Sequence, residues 1–276
     1  MHQAEEYVKL AQEAWNEAAP IHWRVTHALL DEIKDSTRRD IHQIQIDELQ
    51  RIGLEGRRAA HLNCNNGREL ITMTRLGARG SIGFDISAGF IGQAEELAKA
   101  AGVDCRFVCT DIYKIGSEFD AQFDLVVVTA GALAFMPDLT AYFSIARRML
   151  KPEGKLTVYE AHPVTRMFLK DRDRRDKPVE LVQSYFAEEP LRHETGLDDQ
   201  GGTIYEAKPI YYFQHKLADV ISACINAGFA IEKFGEYDRD PSQSRTSLET
   251  FPATPPLSYI LTCRRDEGAG TAGNPV

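Results

Sequence analysis

The chain has 276 residues, of which 43% are apolar and 26% are charged, as in an ordinary soluble globular protein. Its formal net charge of -9 disfavours a nucleic-acid binder, because phosphate contacts need a basic face. No apolar run approaches the roughly 20 residues of a membrane helix, and the acidic N-terminus lacks the pattern of a secretory signal. The five cysteines are scattered without a CxxC pair. We therefore predict no disulfide framework, no metal site and a cytoplasmic location.

The first 52 residues have the period of amphipathic helices, with apolar side chains at helical spacing before Pro20 and again after it. This pattern predicts a pair of helices. The segment Trp15–His27 contains two tryptophans, two histidines and a proline, which is unusual for a plain surface helix. We predict that residues 1–52 form a lid. The alternative is that Trp15 and Trp23 only pack a helix onto the core.

Short apolar runs alternate with helical patterns between residues 57 and 162. Strands separated by helices at this spacing predict right-handed βαβ units and a doubly wound, mostly parallel α/β sheet of the Rossmann-like kind. The predicted strands are Ala59–Asn63, Ser81–Phe84, Cys105–Cys109, Phe123–Thr129 and Lys155–Glu160, and the predicted helices are Glu69–Leu76, Ser87–Ala101 and Asp138–Leu150.

The last third of the chain begins with a charged, turn-rich stretch at residues 163–210, which we predict to be a cap inserted after the fifth strand. A small β-ribbon for dimerisation is the alternative. A helix follows at 216–227, and strands at 229–237 and 257–264 are expected to add an antiparallel terminal pair to the core, residues 53–265. Residues 266–276 have little to bury and are predicted to be a disordered tail.

Residues that follow the five core strands are the candidates for ligand binding, because a doubly wound sheet binds ligands beyond the carboxyl ends of its strands. In strand order they are Asn63, Asn65 and Gly67, then Asp85 and Ile86, then Asp111 and Ile112, then Thr129, and finally Glu160 and His162.

These strand ends resemble those of the class I S-adenosylmethionine-dependent methyltransferases. The family's first motif is a strand that enters an acidic-x-Gly-x-Gly-x-Gly loop. Here His61 stands at the acidic position, and Asn63, Asn65 and Gly67 stand at the three glycine positions. Asparagine is the non-glycine residue that best tolerates a left-handed backbone, so the replacement is chemically sensible. The segments FDLVVVTAGAL and LKPEGKLTVYE resemble the family's fourth strand and the turn before its fifth.

The resemblance implies S-adenosylmethionine as the cofactor. Asp85 would bind the two ribose hydroxyls, and Asp111 the adenine amine beside Ile112. The cofactor site would also include Asn63, Asn65, Gly67, Ile86 and Thr129. Plain turn residues are the alternative for the asparagines and both aspartates. The NAD fingerprint G-x-G-x-x-G is absent, which counts against a nucleotide-cofactor oxidoreductase.

We predict methyl transfer to an oxygen or nitrogen of a small, apolar or aromatic metabolite, by a monomer or homodimer that binds neither nucleic acid nor membrane. His162 is the candidate general base, ahead of His22, His27 and His215, because histidine titrates near neutrality. A methyltransferase fold acting only as a binding or partner subunit is the alternative. The predicted acceptor-binding residues are Trp15, His22, Trp23, His27, Glu160, Tyr185 and Tyr211.

Overall fold

The computed structural model describes residues 2–26, 28–174, 179–197 and 203–266. Its strands are β1 (Ala59–Leu62), β2 (Ile82–Asp85), β3 (Arg106–Cys109), β4 (Phe123–Val128), β5 (Leu150–Ala161), β6 (Leu191–His193), β7 (Ile210–Tyr212), β8 (Phe229–Tyr237) and β9 (Ser258–Arg265). Its α-helices are α1 (His2–Thr26), α2 (Leu29–Glu32), α3 (Gln43–Ile52), α4 (Arg68–Arg75), α5 (Ala88–Ala101), α6 (Leu139–Met149), α7 (Asp171–Arg174) and α8 (Leu217–Asn226). None of the helices within these ranges is long and apolar enough to cross a membrane.

Seven strands form the main sheet in the order β3-β2-β1-β4-β5-β9-β8. Strands β1 to β5 are parallel, whereas β9 runs antiparallel to both of its neighbours, β5 and β8. This arrangement confirms the predicted doubly wound sheet with an antiparallel terminal strand. Strand order reverses between β1 and β4, so the ligand crevice is expected beyond the ends of these two strands.

The central strand β4 is buried on both faces, which explains its run of three valines. One face packs against α6 and α8, which contribute Phe143 and Val220. The other face contacts the layer that contains Leu49 of α3 and Leu70 of α4. The two faces thus build two cores on one sheet, and this rigid centre holds the loops at its carboxyl edge.

Local signals in the sequence mark the helix ends that border this edge. The side chain of Ser87 accepts a hydrogen bond from the backbone N–H of Phe90 and caps α5. Asp138 caps α6 in the same way, through the N–H of Ala141. These side chains satisfy backbone donors that would otherwise have no partner in the first turn.

The N-terminal segment differs from its prediction, because α1 continues through Pro20 as one helix of 25 residues. Proline removes one backbone donor from a helix and disturbs the preceding turn. Tertiary packing offsets this cost. Ala18 and Ala19 are completely or almost completely buried, and the carbonyl of Ala19 accepts a hydrogen bond of 2.7 Å from Gln93 of α5. Helix α1 also packs against β7, which pairs with β6 as a separate two-stranded ribbon.

Candidate cofactor and acceptor site

A cavity of about 370 Å³ lies at the carboxyl ends of the parallel strands, at the predicted position. One side consists of residues that follow the strands, including Asn63, Asn65, Glu69, Asp85, Ile86, Asp111, Ile112, Thr129 and Glu160. The opposite side comes from α1, the 3₁₀ turn after β4, the chain after β5, β7 and the β8–β9 loop, and it includes Trp15, His22, Phe135, Arg166, Lys170, Tyr212 and Arg245.

The loop after β1 uses the left-handed backbone that its resemblance to a glycine-rich loop implied. Asn63, Asn65 and Gly67 have φ angles of 55°, 48° and 75°. The first two residues line the cavity, but Gly67 does not. A Cβ atom on Gly67 would lie 2.6 Å from the ring of Phe107 and 2.9 Å from Ala94. The structure therefore assigns Gly67 to helix–sheet packing, a correction to its predicted place among the cofactor contacts.

Asp85 is the buried acid at the end of β2. Its Oδ2 accepts a hydrogen bond of 2.8 Å from the N–H of Asn65, and its Oδ1 accepts one of 2.9 Å from the N–H of Ser87. Burial raises the pKa of Asp85, and these backbone donors partly counteract that effect. Each carboxylate oxygen can accept a further hydrogen bond, and the residue lines the cavity. The carboxylate can therefore receive two hydroxyl donors from a ribose.

Asp111 has a similar position after β3. Its Oδ1 accepts a hydrogen bond of 3.0 Å from the N–H of Tyr113, and the carboxylate can accept further donors. Ile86 and Ile112 add apolar surface to the same wall. The two acids can accept hydrogen bonds from the ribose hydroxyls and the adenine amine, and the two isoleucines can pack beside the adenine ring. The loop after β1 need not bind a phosphate, because S-adenosylmethionine has none. The residues present therefore fit this cofactor.

His61, at the acidic position of the family motif, is completely buried beneath the cavity. Its Nε2 lies 3.0 Å from the hydroxyl of Thr129, which lines the cavity after β4. Burial lowers the pKa of His61 to about 3, so the ring is neutral at physiological pH. The neutral ring therefore orients Thr129. Unlike the carboxylate at this position of the family motif, it carries no negative charge.

Glu160 lines the cavity, but its carboxylate already accepts hydrogen bonds from the loop after β4. One oxygen accepts hydrogen bonds from the N–H groups of Gly131 (2.6 Å) and Ala161 (2.8 Å), and the other accepts one from Leu133 (3.1 Å). Burial raises the pKa of Glu160, which these donors partly counteract. The predicted contact with the acceptor would compete with three backbone hydrogen bonds.

His162 does not reach the cavity, contrary to its prediction as a general base facing the acceptor. It caps the 3₁₀ turn Pro163–Met167, where its Nδ1 accepts a hydrogen bond of 3.1 Å from Val164. This contact directs the ring toward β8, where Nε2 lies 3.0 Å from a carboxylate oxygen of Glu236. Both ring nitrogens are engaged away from the cavity, so the structure removes His162 from the catalytic candidates.

We expect His162→Ala not to cause the roughly 100-fold loss of turnover that follows removal of a general base. Loss of the cap should instead lower the free energy of unfolding by about 1 kcal/mol. Urea denaturation and single-turnover rates with an identified acceptor measure the two effects. A loss of turnover of two orders of magnitude in a variant of normal stability and normal cofactor affinity would contradict this assignment.

The lid residues divide between the cavity and the core. Trp15 and His22 line the cavity, and Nε2 of His22 lies 2.8 Å from the carbonyl oxygen of Leu197. Trp23 instead packs against the cluster that contains Ile33 and Leu97, which corrects its predicted contact with the acceptor. His27 lies outside the described residues.

Two predicted tyrosines of the cap also face elsewhere. The hydroxyl of Tyr185 accepts a hydrogen bond from the N–H of Leu217, and Tyr211 packs on Tyr7 with ring centres 4.7 Å apart. Tyr212 lines the cavity in place of Tyr211, because successive side chains of β7 point to opposite faces. His215, a further candidate base, places Nε2 2.8 Å from the carbonyl of Met136 and is not part of the cavity wall.

Several cavity residues were not predicted from the sequence. Arg166 and Lys170 follow β5 within a charged segment, whose charge alone does not distinguish a site from a solvated surface. Arg245 comes from the β8–β9 loop, which the sequence marks only as a connection. The other unpredicted residues include Arg68, Glu69, Tyr113, Phe135 and Tyr212. Among the described residues, no three His, Cys, Asp or Glu side chains are grouped to hold a metal ion.

Comparisons with known proteins agree with this geometry. Residues 60–154 match the family model of a methyltransferase domain. An uncharacterized protein of Haemophilus influenzae is 24% identical over 215 residues, which are 75% of this chain and 81% of that protein. An S-adenosylmethionine dependent methyltransferase from Mesorhizobium loti is 21% identical, with a TM-score of 0.58 over 79% of this chain and 96% of that one. The magnesium protoporphyrin IX methyltransferase of Synechocystis, with bound SAH, is 18% identical, with a TM-score of 0.54 over 94% and 99% of the two chains.

Residues 60–154 thus match a methyltransferase domain, and the fold is that of solved S-adenosylmethionine-dependent methyltransferases, as the strand ends implied. The Synechocystis enzyme was crystallised with bound SAH and with bound SAM, in agreement with the cofactor predicted for this chain. Which side chains hold the donor and the acceptor stays a prediction.

Proposed function

We propose that the protein transfers the methyl group of S-adenosylmethionine to an oxygen or nitrogen atom of a small aromatic or apolar metabolite. The supporting observation is that one cavity joins the acidic strand ends to an aromatic wall of Trp15, Phe135 and Tyr212. Its volume of about 370 Å³ is within the range of small-molecule pockets.

The strand-end residues would hold the donor and orient it. Asp85 would accept the two ribose hydroxyls, Asp111 the adenine amine, and Ile86 and Ile112 would pack beside the rings. When bound, the cofactor would supply a sulfonium methyl group: an acceptor lone pair would form a bond to the methyl carbon in line with the breaking S–C bond, with S-adenosylhomocysteine as the leaving group. Thr129 stands at the end of β4, next to the expected position of the methyl group.

The lid and cap would supply a dry, ordered space for the acceptor. The ring of Trp15 lies 5.2 Å from that of Phe135, and Phe135 lies 4.9 Å from Tyr212, so the three rings form a continuous wall. Such a wall excludes water and holds the nucleophile near the methyl group, which is the main requirement of an in-line displacement. Of the histidines in the described ranges, His22 alone lines this cavity, and it replaces His162 as the candidate base.

The chain's charge supports a small-molecule acceptor over nucleic acid. We further propose that the enzyme acts in the cytoplasm, as a monomer or homodimer.

Calorimetric titration of the purified protein with S-adenosylhomocysteine and with NADH tests the donor site, and we expect only the former to bind. Incubation with methyl-labelled S-adenosylmethionine and a metabolite extract then tests the acceptor class by mass spectrometry. We expect label in a small molecule and none in RNA or protein. Label found only in macromolecules would contradict the proposal. The variant His162→Ala provides a control that should retain both S-adenosylhomocysteine binding and methyl transfer.

A further inference from the structure

Most charged side chains in the cavity are grouped by sign; the exceptions are Arg68, which is next to Glu69, and Glu160, which is near Arg166. The acids Glu69, Asp85 and Asp111 all come from the segments that follow β1, β2 and β3. Three cations, Arg166, Lys170 and Arg245, line the other side, from the chain after β5 and from the β8–β9 loop. The acidic side fits the ribose and adenine of the donor, which leaves the basic side to face the acceptor.

Arg166 is the best-defined of the three cations. It belongs to the 3₁₀ turn Pro163–Met167, and its Cζ lies 5.4 Å from the ring centre of Tyr212. Stacking on an aromatic face holds the guanidinium plane in place and leaves its N–H groups at the edge available. The side chain is partly buried, and burial lowers the pKa of Arg166, an effect that nearby Glu160 and Tyr212 counteract in part.

The guanidinium of Arg166 makes no hydrogen bond and no ion pair with any residue that the structure describes. Glu160 is the acid that influences it most, yet its oxygens already accept three backbone N–H groups. The guanidinium carries five N–H donors, and none of its nitrogens is among the fully buried atoms without a partner, so they are accessible from the cavity. An anion placed in the cavity would accept hydrogen bonds from them.

The surroundings hold this side of the cavity in shape. Nε of Arg245 donates a hydrogen bond of 3.0 Å to the carbonyl of Phe168, which ties the β8–β9 loop to the chain after β5. The hydroxyl of Thr165 donates one of 2.8 Å to the carbonyl of His162, which tightens the turn that carries Arg166.

We infer that the methyl acceptor carries an oxyanion, a carboxylate or a phosphate, which Arg166 binds on the face of Tyr212 with Lys170 and Arg245 alongside. This inference rests on the proposed function. The acceptor is then an aromatic or apolar acid, with its apolar part on the wall of Trp15 and Phe135. A planar guanidinium that can form two parallel hydrogen bonds suits both kinds of oxyanion.

Benzoate, phenyl phosphate and benzyl alcohol serve as probes, titrated into the protein saturated with S-adenosylhomocysteine and followed by tryptophan fluorescence or calorimetry. We expect at least one of the two anions to bind about tenfold or more tightly than the uncharged alcohol, as for a hydrogen bond to a charged group. The tighter of the two anions identifies the acceptor group. Equal affinity for all three probes would overturn the inference.

Variants of Arg166 locate the anion. Arg166→Met should remove the preference for the anion, and Arg166→Lys should retain part of it. Arg58→Met is a matched control, because Arg58 lies 5.0 Å over the ring of Phe123 and does not line the cavity. An unchanged preference in Arg166→Met would also overturn the inference.

Cofactor binding separates this inference from the proposed function. We expect Arg166→Met to keep the wild-type affinities for S-adenosylhomocysteine and for 5′-methylthioadenosine, which lacks the amino-acid carboxylate. A selective loss for S-adenosylhomocysteine would mean that Arg166 binds the cofactor's carboxylate, which overturns the inference but leaves the proposed function standing. Failure of the wild-type protein to bind S-adenosylhomocysteine would instead refute the proposed function.

Discussion

Asp85→Ala should weaken the binding of S-adenosylhomocysteine about 100-fold or more. The carboxylate is positioned to accept two ribose hydroxyls, and each hydrogen bond to a charged group is worth roughly 1.5–3 kcal/mol. The variant also frees the N–H groups of Asn65 and Ser87, which Asp85 holds at 2.8 and 2.9 Å, so the first loop loses its support. Calorimetry with the wild type and the variant measures the effect.

The matched control for Asp85 is Asp124→Ala. Asp124 accepts a hydrogen bond of 2.9 Å from the N–H of Arg58 and pairs with Lys151, but it does not line the cavity. Its loss should leave the affinity for S-adenosylhomocysteine unchanged. Since burial raises the pKa of Asp85, wild-type affinity should also fall with decreasing pH at values above the ordinary aspartate range. Normal affinity in Asp85→Ala would show that Asp85 does not bind the ribose.

Glu48→Gln should lower the free energy of unfolding by about 3 kcal/mol at neutral pH. Glu48 lies on α3 and is 1% exposed, and its carboxylate accepts hydrogen bonds from Arg51, Lys233 and Thr262. Burial alone would raise the pKa of Glu48, but these donors outweigh it and lower the pKa from 4.5 to about 2. The charged carboxylate therefore stabilises the fold by joining α3 to β8 and β9.

The pH dependence of this effect follows from the direction of the shift. Because the folded pKa of Glu48 is below its unfolded value of 4.5, its contribution is complete above that value and is lost as the pH falls toward 2. Urea denaturation at several pH values should thus show a difference between the wild type and Glu48→Gln that shrinks below pH 4.5. The exposed pair of Glu153 and Arg264 provides the control, since Glu153→Gln should change stability by about 0.5 kcal/mol or less. A difference that does not depend on pH would exclude the charge of Glu48 as its cause.

Local sequence patterns were sufficient to predict the sheet and the first loops at its carboxyl edge. The valine run of β4, the caps Ser87 and Asp138, and the alternation of strands with helices all reflect interactions between residues close in sequence. Parallel strands end at one edge, so Asn63, Asp85 and Asp111 could be assigned to one cavity from their positions after strands alone. Pro20 shows the limit of such patterns, because long-range packing of α1 outweighs its local preference.

The sequence by itself therefore determined the class of fold and the acidic side of the cavity, since these follow from strand order and strand ends. Only the tertiary structure decided the acceptor side. A single hydrogen bond from Val164 turns His162 away from the cavity, and the register of β7 selects Tyr212 over Tyr211. Arg245 reaches the same wall from a distant loop. Such choices depend on contacts between segments far apart in the chain, and no local pattern of residues encodes them.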